Sequence, residues 1–130
     1  MSGLSWVKDQ ATTSGRPSVV SLSIGGPTNQ ALDSVIASLT SSGIHVVVAA
    51  GNYNADAENM SPARCPSAVT VGATSITDAR AYFSNYGSVV KIFAPGQDII
   101  SSWNTDDTVC CFSVLVKIVT TLTAGYRQPG

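Results

Sequence analysis

The 130-residue chain is short of charge, of histidine and of pairable cysteine, and each shortage removes a class of function. Charged residues make up 12% of the sequence, about half the ~25% of an ordinary globular domain. Seven Lys and Arg against eight Asp and Glu leave a formal net charge of −1. Without a basic surplus there is no patch to displace counterions from phosphates, so no nucleic-acid partner is expected. No apolar run reaches the ~18 residues of a membrane span, so no membrane partner is expected either. Met1 is followed by Ser2-Gly3-Leu4 rather than by a basic stretch and an apolar core, and the sequence reads as having no signal peptide.

The three cysteines, Cys65, Cys110 and Cys111, are odd in number, with two adjacent. They make no disulfide framework and no zinc-type C-x-x-C pair, although one bridge from Cys65 to the later pair stays open. His45 is the only histidine. There is no G-x-G-x-x-G after a strand and no Walker lysine, which removes the nucleotide-binding readings of an α/β chain. Polarity comes instead from eighteen serines and twelve threonines, a bias more common in secreted hydrolases than in cytosolic proteins.

Residues 18–24 form a short β-branched run stopped by Gly25-Gly26-Pro27, the pattern of a buried strand. Thr28 is then placed to cap a helix whose Ala31, Leu32, Val35, Ile36 and Leu39 share one face. Gly43 suits the left-handed position that ends such a helix. Residues 44–50 are almost continuously apolar, as strands of a parallel sheet covered on both faces must be. Strand, helix, strand is a βαβ unit with a right-handed crossover. Two further strands are predicted at 68–73 and 90–94, with loops at 53–66 and 75–88. Upstream, residues 4–11 predict a helix with Leu4, Val7 and Ala11 on one side; Trp6 is expected to pack a helix and Trp103 a strand end. The run 109–123 is almost uninterrupted β-former, a candidate strand and an aggregation hazard if unpaired.

The second strand ends in Ala49-Ala50-Gly51-Asn52, and ligands of open α/β sheets bind just beyond such carboxyl ends. In order, the chain reads Ser21-Leu22-Ser23-Ile24-Gly25-Gly26, Ala49-Ala50-Gly51-Asn52, Ser61-Pro62-Ala63, Thr70-Val71-Gly72-Ala73, Phe83-Ser84-Asn85-Tyr86-Gly87 and Phe93-Ala94-Pro95-Gly96. This series resembles the middle of a subtilisin-like serine protease, closest to the fungal proteinase K group, over residues 3–107. The resemblance implies an α/β fold: a partial doubly wound parallel sheet of the subtilisin-like kind, with about four strands and flanking helices. Residues 1–107 would be the central part of a peptidase domain, and 108–130 an irregular apolar tail outside the family pattern.

The resemblance also implies roles. Asn52 matches the side-chain donor of the oxyanion hole; losing one such donor costs about 3–4 kcal/mol of transition-state stabilisation, a magnitude that comes from a subtilisin itself. Ser23, Ile24 and Gly25 match the strand end that pairs with an extended substrate backbone. Ala49, Ala50 and Gly51 match the wall of the main specificity pocket. The expected partner is a peptide or protein substrate, the expected location of the family is extracellular, and no cofactor is implied. The calcium position that the family builds on the carbonyls of Pro66 and Ala68 has Lys91 where an aspartate belongs, so no metal is expected.

The departures decide what the chain does alone. The family works through an Asp, a His and a Ser in that chain order. The Asp turn and the His-Gly-Thr helix start would lie before Met1. The Gly-Thr-Ser-Met-Ala helix should follow Asp107, where the chain reads Thr108-Val109-Cys110-Cys111. His45 opens the strand that Asn52 closes, about 20 Å away along extended chain, too far for general-base work. The chain is therefore expected to be inactive by itself. The alternative is a non-catalytic pseudoprotease that docks peptides along residues 23–25. Asp56, Glu58, Asp106 and Asp107 read as solvated loop charges.

Overall fold

The structure, a computed structural model, describes residues 2–101 and 109–111. In chain order the elements are helix α1 (Ser2–Ser14), strands β1 (Val19–Leu22) and β2 (Gly26–Pro27), helix α2 (Gln30–Ser41) and strand β3 (His45–Ala49). A single 3-10 turn (Ala57–Asn59) follows, then β4 (Met60–Ser61), β5 (Val69–Thr74), β6 (Ile92–Pro95), β7 (Ile99–Ser101) and β8 (Val109–Cys111).

Four strands form one sheet in the order β1-β3-β5-β6. All its pairs are parallel, with Val20 opposite Val46, Val48 opposite Thr70 and Ala73 opposite Ala94. This is the partial parallel α/β sheet expected from the four apolar runs. Alternation along β3 explains why its sequence is apolar throughout. Val46 and Val48 join Val20, Ile36, Leu39 and Ile44 on the helical face, with Leu4, Val7 and Ala11 of α1 against them. Val47 points the other way, to Val71, Ala73, Ala81, Phe83 and Ala94. Both helices thus cover one face, and the second is closed by the segment around Ala81 and Phe83. Ile36 and Leu39 are completely buried, worth about 1.5–3 kcal/mol each relative to exposure.

Helix α2 ends as predicted. Gly43 has φ +80, and the amides of Gly43 and Ile44 donate to the carbonyls of Thr40 and Leu39, satisfying two orphan acceptors. Its start differs from expectation. Asn29, not Thr28, is the N-cap: its side chain accepts from the Leu32 amide at 3.0 Å, and its own amide donates to Ser61 Oγ at 2.8 Å. The loop 53–66 contains the 3-10 turn and β4, which pairs antiparallel with β2. Trp6 does not pack inward; it is 63% exposed, because Leu4, Val7 and Ala11 already fill the buried stripe of α1. Of the run 109–123, residues 109–111 pair antiparallel with β7; the rest, with Trp103, Asp106 and Asp107, lies outside the described residues. Cys65 is a buried free thiol, and the side chains of Cys110 and Cys111 lie outside the description.

Candidate active site

Because β1 and β3 run parallel in register, with Leu22 beside Val48, their carboxyl ends emerge side by side. The segment after β1 brings Ser23, Ile24 and Gly25; the segment after β3 brings Gly51 and Asn52. Together with Ala49 and Tyr53 they line a cleft of about 150 Å³. Six of the seven residues assigned from the sequence therefore meet at one place. Ala50 does not line it: its side chain is buried against Ala57 and Ala63. The alternation that turns Ala49 toward the cleft turns Ala50 away.

Asn52 is exposed at the crest of a tightly held arch. Ala50 donates to the Val71 carbonyl at 2.8 Å, which anchors the arch to β5. The rest is held by the segment 80–86, and chiefly by Asn85. The Asn85 carboxamide donates to the Ala50 carbonyl at 2.8 Å and accepts from the amides of Tyr53 and Ala55 at 2.9 and 3.1 Å. The Asn85 amide donates to the Gly51 carbonyl at 2.9 Å. Asn54 donates to the Phe83 carbonyl at 2.8 Å and accepts from the Arg80 guanidinium at 2.9 Å. Among the described residues Asn52 alone of the arch has no such bond, and it lines the cleft. Gly51 must be glycine here. Its φ is +105, and a Cβ would stand 2.5 Å from Asn85 Nδ2. The motif Phe83-Ser84-Asn85-Tyr86-Gly87 is visible in the sequence, but a polar run in a Ser-rich loop reads as solvated and gives no sign of this.

His45 is exposed at the amino end of β3, opposite Val19. It is not brought near the cleft. Lys91 is exposed, its backbone amide donating to the Thr70 carbonyl of β5 at 2.8 Å. Among the described residues no cluster of three His, Cys, Asp or Glu side chains could hold a metal ion. Asp56 is not simply a solvated charge: it caps the 3-10 turn by accepting from the Glu58 amide at 2.9 Å.

A larger surface cavity of about 550 Å³ shares no residue with the cleft. It is lined in part by Asp33, Arg64 and Cys65, which form a bonded cluster. Arg64 Nε stands 2.8 Å from Asp33 Oδ2, and the Cys65 thiol donates to Asp33 Oδ1 at 3.2 Å. Burial pushes the Cys65 thiol up from 9.0 to about 12, and the Asp33 carboxylate beside it adds to the rise. For Asp33, burial raises the pKa, but hydrogen bonds from Ser61, Cys65 and Arg64 outweigh it and hold the carboxyl below its usual 3.8.

A four-stranded parallel sheet with flanking helices and a cleft at adjacent strand ends is an α/β architecture, and comparison with known proteins assigns the family. The subtilase family pattern matches residues 2–124, and the chain belongs to that family. It is 48% identical over 108 residues to an extracellular serine proteinase of Thermus sp. (strain Rt41A), covering 83% of this chain and 26% of that protein. It is 57% identical over 86 residues to subtilisin-like protease 2 of Pseudogymnoascus destructans, covering 66% of this chain and 22% of that protein. A cold-adapted subtilisin-like serine proteinase of known crystal structure superposes with a TM-score of 0.83 at 45% identity, over 95% of this chain and 45% of the other. The chain thus spans about a quarter of the length of the curated relatives it matches. Those relatives are bacterial as well as fungal, so the likeness is broader than the fungal group named from the motifs.

Proposed function

We propose that residues 1–107 are the central part of a secreted subtilisin-like serine endopeptidase domain that keeps the oxyanion-hole asparagine and the substrate-binding strand but not the triad, so that this chain alone is inactive. The observation that carries the reading is the meeting of Ser23, Ile24, Gly25, Ala49, Gly51 and Asn52 around one cleft at adjacent parallel strand ends. An extended peptide would add its backbone to residues 23–25. Its side chain would enter the space beside Ala49 and Gly51, where small residues leave room, and its carbonyl would face Asn52. When a serine attacks that carbonyl, charge develops on the oxygen, and a carboxamide already fixed in place stabilises it without reorganising. The nucleophile, its histidine base and the aspartate match no position of this sequence. The extracellular setting of the Thermus relative supports the same setting here.

Purified chain is expected to release no product from a peptide substrate above background. Turnover that a serine-directed covalent inhibitor abolishes would overturn the claim of inactivity. The second reading, a stand-alone peptide-binding module, is favoured by the exposure of Ser23, Ile24 and Gly25. Peptide binding by the cooperatively folded chain supports it, and a chain that shows no cooperative unfolding removes it.

A further inference from the structure

We propose that Asn85 is the positioning residue for Asn52; the inference rests on the reading of Asn52 as an oxyanion donor and identifies what holds that donor in place. Asn85 is fully buried, at 0% exposure, in a loop segment whose neighbours Tyr86 and Gly87 are exposed. Its three side-chain hydrogen bonds all go to the arch, to Ala50 on one side of Asn52 and to Tyr53 and Ala55 on the other. Its backbone amide takes the Gly51 carbonyl as well. The flanks of Asn52 are clamped and its crest is left open, which is how a donor is preorganised rather than merely tethered. A carboxamide is uncharged and carries a donor and an acceptor on one plane, so it can span both strands of the arch. An aspartate would keep the two amide contacts but turn an oxygen on the Ala50 carbonyl; an aliphatic residue would leave three backbone groups, the Ala50 carbonyl and the Tyr53 and Ala55 amides, short of a partner. The clamp is itself braced. Ser84 Oγ accepts from the Ala73 amide at 2.9 Å and donates to the Asn85 carbonyl at 3.0 Å, fixing the residue to β5.

The test uses the full chain and two probes, an extended tetra-alanine peptide ending in a free carboxylate and the same peptide ending in an amide. The carboxylate places a charged oxygen where the oxyanion would sit, and a charge-assisted bond from Asn52 should favour it by about tenfold. Asn52→Ala should bring that ratio close to one. Asn85→Ala should do the same under conditions where the variant is fully folded, while the amide-ended peptide still binds along residues 23–25. A residue with only a structural role would lower the urea midpoint and leave the ratio unchanged, and that result overturns the proposal. If Asn52→Ala keeps the wild-type preference, the oxyanion reading itself fails, and the proposal with it. If Asn85→Ala does not fold, Asn85→Ser, neutral and too short to span both strands of the arch, carries the same comparison. Hydrogen exchange on the unmodified chain gives an independent check. The Tyr53 and Ala55 amides should be protected to the level of the β3 amides, and exchange at unstructured rates overturns the clamp.

Discussion

Cys65 shows how far a neighbour can set the chemistry of one side chain. It is buried in the helical-face core, and its thiol donates to the Asp33 carboxylate, which hydrogen bonds hold in the charged form. Both burial and the adjacent negative charge oppose a thiolate, so its pKa stands at about 12 rather than 9.0. Below pH 9 the thiol is protonated in folded and unfolded chains alike, and its contribution to stability is complete. Between pH 9 and about 12 only the unfolded chain ionises, so stability falls with rising pH across that window. Two outcomes follow. At pH 9, iodoacetamide should modify Cys65 in the native chain several hundredfold more slowly than in urea, following the thiolate fractions, with peptide mapping to separate it from Cys110 and Cys111. The Cys65→Ala variant should lack this component of the alkaline loss in the urea midpoint. Equal labelling rates in native and denatured chain would show that the thiol is not held in this way.

Helix α2 is the element on which sequence and structure are most instructive together. Its existence, its apolar stripe and its end at Gly43 follow from local rules, because helical spacing and a left-handed glycine are properties of neighbouring residues. Its first residue does not. Thr28 and Asn29 are both good caps on propensity, and the choice is made by Ser61, thirty-two residues away, which accepts the Asn29 amide and fixes that residue in extended geometry. Replacing Asn29 with alanine should therefore cost about 1 kcal/mol, while Thr28→Ala should change stability by less than about 0.5 kcal/mol. Urea unfolding of the two variants checks it, and a larger loss at Thr28 would return the cap to the position read from sequence. The same contrast separates the two halves of the site. Ser23 to Gly25 and Asn52 are legible because strand ends are legible. Asn85 is not, because its burial depends on the return of the chain past β5, and nothing local distinguishes it from a solvated loop asparagine. Trp6 differs from expectation for a simpler reason: Leu4, Val7 and Ala11, read correctly as one side of α1, fill its buried stripe and leave Trp6 exposed.

At the scale of the molecule, the four-stranded sheet ends in an open edge. β1 is last in the strand order, and among the described residues it pairs only with β3. Its outer backbone groups form an open edge, and an open, β-branched edge is a template for another chain. Val19 stands on that edge, 47% exposed, with its side chain on the opposite face from Val20, which packs beneath the helices. The chain also shows exposed Val69, Ile92 and Phe93 on other strands of the same sheet. The matched stretch is about a quarter of the length of the curated relatives, and an open edge is where further chain of such a protein would pair. Alone, the chain should self-associate through β1. Val19→Lys puts a charge on the edge without touching the buried face, so its effect on the urea midpoint should stay within about 1 kcal/mol. Light scattering at rising concentration should show the variant monomeric at concentrations where the parent chain forms larger species. Because the block is electrostatic, its benefit should shrink as salt shortens the Debye length from about 10 Å at 0.1 M to about 3 Å at 1 M. If the variant associates as readily as the parent at low salt, the adhesive surface is not the β1 edge, and the apolar run 109–123 becomes the segment to remove next.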